Sequence, residues 1–135
     1  MKANQFSRAL WVALTGAALT CAATVALADI RNYEFRLAEP TVKAGADRTI
    51  AVKLVDKTTG KAVPDAVIFA TRLDMAPDAM QEMVTKLTPL PASEPGTYRF
   101  KADFGMEGRW QLSLGAKVQG ETGTVASKLV IEAGR

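Results

Sequence analysis

The stretch TYRFKADFGMEGRWQLSLGAKV (Thr97–Val118) decides the fold. Its first part, TYRFKADF, alternates between apolar and charged side chains, which is the period expected of a half-buried strand. A short GMEG turn follows, and the alternation resumes in RWQLSLGAKV. The predicted inward positions are Tyr98, Phe100, Ala102 and Phe104 before the turn and Trp110, Leu112, Leu114, Ala116 and Val118 after it. This pattern predicts two long strands joined by a tight turn.

Other segments of similar character lie on both sides of this pair, separated by clusters of Gly, Pro and Asp. They are residues 30–37, 48–55, 66–73 and 84–90, and the segment TVASKLVIEA near the C-terminus. With the first two, the chain has about seven short strands at the spacing typical of a β-sandwich. We therefore predict an all-β fold, an immunoglobulin-like sandwich of two antiparallel sheets.

The N-terminus has the features of an export signal. Lys2 and Arg8 precede the apolar run ALWVALTGAALTCAATVA, and Ala26-Leu27-Ala28 forms a small-x-small cleavage site before Asp29. We predict a signal helix in residues 1–28, cleavage after Ala28, and one domain in residues 29–135, located in the periplasm. The alternative is an uncleaved membrane anchor, because the apolar run approaches the length that spans a bilayer.

Composition excludes several classes of function. Removing 28 residues from 135 leaves 107, which contain no cysteine and no histidine. Ser-His and Cys-His nucleophilic systems and the usual zinc sites are therefore excluded, and we do not expect an enzyme. The leader takes two of the 17 basic residues and none of the 14 acidic ones, so the remaining net charge is 15 − 14 = +1. This charge does not suit a nucleic-acid partner, and the sequence identifies no small-molecule substrate.

The methionines point to a different chemistry. The polar segment RLDMAPDAMQEM (Arg72–Met83) contains Met75, Met80 and Met83, and Met106 lies in the GMEG turn. In an immunoglobulin-like topology, the turns that carry them lie at the same end of the sandwich. Thioethers are soft ligands that select Cu(I) over Zn²⁺, Mg²⁺ or Ca²⁺. The sequence thus predicts a Cu(I) site formed by these four methionines.

Nearby residues could assist such a site. If Pro77 opens a helical turn, Met80 and Met83 share one face of it. Trp110 could cap the ion with its indole ring, and four acids could offset its charge: Asp74, Asp78, Glu82 and Glu107. The alternative interpretation is structural, because methionine commonly fills gaps in cores and a buried tryptophan is common in these sandwiches.

The segments TGKAVPDAVIFATRLDM and PGTYRFKADFGMEGRWQLSL also resemble the YtkA-like and FixH-like periplasmic domains, which have a strand-turn-strand pattern ending in Gly-x-Trp. The resemblance covers Asp47 to Leu114. It implies an immunoglobulin-like domain in a group linked to copper and heavy-metal handling and to the assembly of copper-containing oxidases. FixH-like proteins tend to keep a membrane anchor, so a cleavable leader favours metal resistance or delivery over respiration.

Two functions follow as expectations. The first is an exported protein that binds or passes Cu(I) through its methionines beside an efflux system or a copper-oxidase assembly complex. The second is a metal-free interaction or assembly module that docks a membrane complex.

Overall fold

The structure, a computed structural model, describes residues 30–135. These residues form nine β-strands and two short 3-10 helices, Ile30–Asn32 and Ala76–Asp78. The strands are β1 Tyr33–Leu37, β2 Thr41–Lys43, β3 Gly45–Asp56, β4 Val67–Met75, β5 Met80–Thr85, β6 Leu87–Leu90, β7 Thr97–Phe104, β8 Gly108–Lys117 and β9 Val125–Gly134. The predicted signal helix lies outside the described residues.

The strands form two sheets that pack face to face. One sheet has the order β1-β3-β7-β6 and the other has the order β2-β9-β8-β4-β5. Neighbouring strands are antiparallel except β2 and β9, which run parallel. The predicted immunoglobulin-like sandwich is therefore confirmed, with one parallel pair added to it.

The predicted count of about seven strands is too low for two reasons: β2 lies outside the predicted strands, and the predicted strand 84–90 is divided between the sheets. The first strand ends at Leu37, and the chain then crosses to the other sheet, where Thr41–Lys43 pairs with β9. The predicted strand 84–90 is also wrong as a single element. Its residues up to Thr85 belong to β5 and those from Leu87 onward to β6, which lies in the opposite sheet. Pro89 is accommodated because β6 is an edge strand.

The core lies between the sheets, at the inward positions that the alternating pattern predicts. Phe100 and Phe104 of β7 are buried, as are Leu112 and Trp110 of β8. The rings of Phe104 and Trp110 meet edge to face with their centroids 5.5 Å apart. Burial of large aromatic and aliphatic side chains of this kind is the main stabilising contribution in a domain whose described residues contain no disulfide.

Tyr98 is only half-buried, and its hydroxyl group has a specific role. It donates a hydrogen bond to the Val63 carbonyl at 2.8 Å and accepts one from the Ala66 N–H at 3.1 Å. Burial is the largest influence on its phenol and raises its pKa above the ordinary value. These bonds hold the long connection between β3 and β4 against the four-stranded sheet.

A candidate soft-metal site at one end of the sandwich

The methionine-bearing segment is a β-hairpin rather than a polar loop. Strand β4 ends at Met75, a single 3-10 turn occupies Ala76–Asp78, and β5 begins at Met80. Met75 and Met80 are cross-strand partners. Ala79 closes the turn in a left-handed conformation with φ 61°, and its N–H donates to the Ala76 carbonyl at 2.9 Å.

Pro77 does occupy a helical turn, as the sequence predicts, because its fixed φ suits the start of a helix. The turn ends at Asp78, however, so Met80 and Met83 lie on a strand and do not share a helix face. The prediction of a helical spacing for these two methionines is therefore wrong. These residues form a strand because they pair with β4. Pairing between strands depends on context that the local sequence does not show.

The two turns that carry the methionines are bonded directly to each other. The Asp78 carboxylate accepts hydrogen bonds from the backbone N–H and from Nε of Arg109, each at 2.8 Å. The Arg109 Nη2 group donates to the Pro77 carbonyl at 2.8 Å. We call this set of contacts the Asp78–Arg109 clasp. It confirms the expectation that the β4–β5 and β7–β8 turns lie at the same end of the sandwich.

The hydrogen bonds of the clasp also determine the ionisation of Asp78. The bond from the Arg109 backbone N–H, followed by the bond from the Arg109 guanidinium, holds the pKa of the Asp78 carboxyl below its ordinary value. Both bonds favour the charged form because they donate to the carboxylate. Asp78 is therefore an anion fixed in place, and its charge is already matched by a cation.

Gly108 makes the clasp possible. Its φ of +142° is a conformation that residues with a side chain rarely adopt. A Cβ atom at this position would lie 2.5 Å from Met75 Cε and 2.7 Å from Asp78 Oδ2. The absence of a side chain at Gly108 therefore allows the β4–β5 turn to approach the start of β8. Sequence reasoning missed Gly108 and Arg109. The glycine at the end of GMEG was a signal for a special backbone conformation, but nothing in the sequence identifies Asp78 as the partner.

The structure places the four predicted ligands in different environments. Met75 is fully buried in the core, so the prediction that it lies in an exposed polar segment is wrong. Met80 is half-buried and packs against the edge of the core. Met83 and Met106 are exposed, with relative accessibilities of 38% and 39%. The accessible thioethers are thus those of Met80, Met83 and Met106.

Trp110 is a core residue in this structure. Its side chain is 2% exposed, and Nε1 donates a hydrogen bond to the Met106 carbonyl at 3.2 Å. An indole that caps an ion at the surface would have to present its face outside the core. The arrangement instead suits the structural interpretation, in which Trp110 supports the turn that carries Met106.

Most of the surrounding acids already have partners. Asp74 is buried, accepts from Arg72 Nε at 2.6 Å and also accepts from the Ala76 N–H at 3.0 Å. Glu107 contacts Arg135 at 3.6 Å. Within residues 30–135, no group of three or more His, Cys, Asp or Glu side chains is arranged to hold a metal ion. Met80, Met83 and Met106 therefore supply soft sulfur donors at this end of the sandwich.

Comparison with known proteins identifies the family. Residues 27–115 match the family described as YtkA-like. The chain belongs to the YtkA-like family. This confirms the YtkA-like part of the resemblance predicted from the sequence, and the match extends beyond the predicted span at its N-terminal side. No curated protein matches the chain.

Three solved structures match the chain at low sequence identity and low TM-score. The Lin-41 filamin domain is 19% identical, with a TM-score of 0.44, and the match covers 76% of this chain and 94% of that one. The Escherichia coli adhesin FdeC is 20% identical, with a TM-score of 0.43, and the match covers 77% of this chain and 31% of that one. The ZirS C-terminal domain is 14% identical, with a TM-score of 0.44, and the match covers 98% of this chain and 84% of that one.

The part of the chain that the structure describes has no helix long and apolar enough to cross a membrane. The apolar run of the predicted leader lies outside that part.

Proposed function

We propose that this YtkA-like protein is an exported, non-enzymatic domain that binds or passes Cu(I) through Met80, Met83 and Met106. The observation that carries the proposal is the Asp78–Arg109 clasp, which joins the hairpin that bears Met80 to the turn that bears Met106. Met75 is left out because it belongs to the core. Trp110 supports the Met106 turn and is not assigned to the ion.

The chemistry of the donors supports a soft ion. Thioethers are neutral and polarisable, and they select Cu(I) over harder ions such as Mg²⁺ or Ca²⁺. Cysteine and histidine, which would also attract Zn²⁺, do not occur after residue 28. Asp78, the acid of the clasp, is engaged by Arg109, so the thioethers determine the preference for the ion.

The sequence of the leader supports export to the periplasm. Cleavage after Ala28 is expected because small residues occupy the positions that signal peptidase recognises. The partner we propose is a metal-efflux or copper-oxidase assembly complex. Mass spectrometry of the periplasmic fraction tests the export step, and a full-length species confined to the membrane would replace the soluble protein with an anchored one.

The metal step is tested by titrating the protein with Cu(I) against the chelator bathocuproine disulfonate. The Met80→Leu/Met83→Leu variant should keep its fold, since such swaps cost less than about 1.5 kcal/mol. Its Cu(I) affinity should fall by more than the roughly 10- to 100-fold that loss of an outer-shell partner costs. Met106→Leu should also weaken binding.

Met75→Leu is the matched control because it removes a buried thioether from the same hairpin. Its Cu(I) affinity should equal that of the unmodified protein. Wild-type affinity in the double variant would overturn the proposal. An equal loss in the double variant and in the control would assign the effect to packing.

The second candidate is a metal-free interaction module, and the surface of the five-stranded sheet favours it. Val67, Phe69 and Val130 are 60%, 57% and 47% exposed on strands β4 and β9 of that sheet. Val67 and Phe69 lie together near the start of β4, whereas Val130 is level with Gln111 of β8, six residues along that strand from the partner of Val67. Exposed apolar side chains that lie together, like Val67 and Phe69, are typical of contact surfaces. Cu(I) binding no tighter than that of an unrelated β-sandwich would favour this candidate over the first.

A further inference from the structure

Strand β3 is much longer than the strand that covers it on one side. It spans Gly45–Asp56, but β1 pairs only with Val52–Asp56. After Leu37 the chain leaves this sheet, and Pro40 accepts a hydrogen bond from Glu132 of β9 in the other sheet. Within residues 30–135, no strand pairs with the first half of β3 on the β1 side. A β-bulge between Gly45 and Arg48 interrupts the first part of this half, so the regular open edge extends from Arg48 to Ile50.

The hydrogen bonds of β3 show which backbone groups face this edge. The Ala51 carbonyl accepts from the Ala38 N–H at 2.9 Å on the β1 side, whereas the Leu54 N–H donates to Gly96 on the β7 side at 3.0 Å. In an antiparallel sheet, successive residues direct their N–H and C=O groups to opposite neighbours. Thr49 lies two residues from Ala51 on the same strand, so its N–H and C=O groups also point to the β1 side, where the edge is open.

A groove of about 850 Å³ lies along this edge. It is lined by Arg48–Ala51 of β3, by β2 and by the end of β9. An open edge is normally covered or blocked, because its unpaired backbone groups would pair with another chain. Here the groove leaves the Thr49 backbone accessible, and β2 forms its opposite wall.

The charged side chains that line the groove give it a preference for an acidic ligand, because four are basic and two are acidic: Lys43, Arg48, Arg109 and Arg135 against Glu39 and Glu132. Two of the arginines, Arg109 and Arg135, already contact Asp78 and Glu107. Arg48 contacts no carboxylate among the described residues. Its Nη2 donates to the Ala44 carbonyl at 3.2 Å, and its buried Nε has no hydrogen-bond partner there. A buried N–H of this kind costs free energy until an acceptor reaches it.

We propose that the groove binds an extended acidic peptide, which adds a strand to β3 opposite Thr49 and places a carboxylate on Arg48. Strand addition satisfies the backbone groups of Thr49. Because side chains alternate between faces, the peptide residue next to the one that pairs with Thr49 lies on the same face as Arg48. That neighbour is the position of the acid. The proposal is independent of the methionines.

The probe is a dye-labelled peptide, Thr-Val-Glu-Val-Thr-Val, titrated with the full chain by fluorescence anisotropy. Two comparison peptides carry Lys in place of Glu, or N-methyl groups that remove the backbone donors. Each change should weaken binding by about tenfold, as expected for the loss of a charge-assisted contact or of backbone hydrogen bonds. Equal binding of the parent and N-methylated peptides would overturn strand addition.

Variants at two positions test where the peptide binds and which side chain contacts its carboxylate. Thr49→Pro removes only a donor that lies outside the β3–β7 ladder, so the fold should persist while binding falls, whereas Thr49→Val should bind normally. Arg48→Gln should weaken binding of the Glu peptide by about tenfold and remove the discrimination against the Lys peptide, because both changes delete one contact. Discrimination that survives in Arg48→Gln would overturn the assignment of Arg48. If Thr49→Pro fails to fold, the N-methylated peptide still decides the question.

Discussion

The substitution Gly108→Ala adds only one methyl group, but it should strongly destabilise the protein. The backbone φ of +142° at this residue is a conformation essentially reserved for glycine, and holding another residue there costs about 1–3 kcal/mol. The new Cβ would also lie 2.5 Å from Met75 Cε, so the buried thioether would have to move. Overpacking of that kind adds about 1–3 kcal/mol. We expect a total loss of about 2–6 kcal/mol in the free energy of unfolding.

The second effect of Gly108→Ala concerns the Asp78–Arg109 clasp. The same Cβ would approach Asp78 Oδ2 to 2.7 Å, which is too close unless the carboxylate moves. The substitution should therefore loosen the contact between the two turns as well as lower stability. A loss of several kcal/mol is a large part of the 5–15 kcal/mol typical of a folded domain.

Equilibrium unfolding in urea, followed by circular dichroism, measures the effect. Gly105→Ala is the matched control, because Gly105 lies in the same turn and a Cβ there would meet nothing within 4 Å. The control should change stability by no more than about 0.5 kcal/mol. If Gly108→Ala were as stable as Gly105→Ala, the argument that Gly108 is required for the approach of the two turns would be refuted.

Three other substitutions test the remaining structure. Trp110→Ala should cost about 3–5 kcal/mol in urea unfolding, because it removes a large buried aromatic, and a loss below about 1 kcal/mol would contradict its place in the core. Tyr98→Phe should cost about 1–3 kcal/mol by the same measurement, since two backbone groups lose their partner; unchanged stability would show that water replaces the hydroxyl. Asp78 has a lowered pKa, so its contribution is present above the ordinary carboxyl value of about 3.9 and is lost as the pH falls through the folded value. In Asp78→Asn, the free energy of unfolding should therefore fall less on acidification than in the unmodified protein, as measured by urea unfolding across a pH series. The same decrease at low pH in both proteins would count against the clasp.

Where side chains alternate over a long segment, the sequence predicted the strands well. The segment 97–104 predicted from TYRFKADF coincides with β7, and the strand predicted at 109–118 is shifted by one residue from β8. These strands are central in their sheets, so burial on one face imposes the pattern.

The hairpin strand β5 was missed for a physical reason. Its sequence MQEMVT has no regular alternation, and it lies at the edge of its sheet, where pairing with β4 rather than burial defines it. Met75 could have been assigned to the core, because Leu73 and Met75 continue the period of two in β4 and both are buried. The polar neighbours of Met75 suggested a loop instead.

The common location of the two turns was predictable from the fold, but the contact that joins them was not. An immunoglobulin-like topology requires the β4–β5 and β7–β8 turns to share one end. The bond between Asp78 and Arg109 joins residues that are 31 positions apart, and nothing local to either residue indicates the other. The burial of Met75 likewise depends on the space left by Gly108.

The bond from Trp110 to the Met106 carbonyl gives the protein an internal optical probe. Of the two tryptophans in the chain, Trp11 lies in the predicted leader and Trp110 lies in β8. After the expected cleavage, all tryptophan emission would come from one indole in contact with the turn that carries Met106. A ligand that shifts this turn would change the intensity or wavelength of that emission without any attached dye. The same signal would report the loosening of this end of the sandwich separately from unfolding of the whole domain.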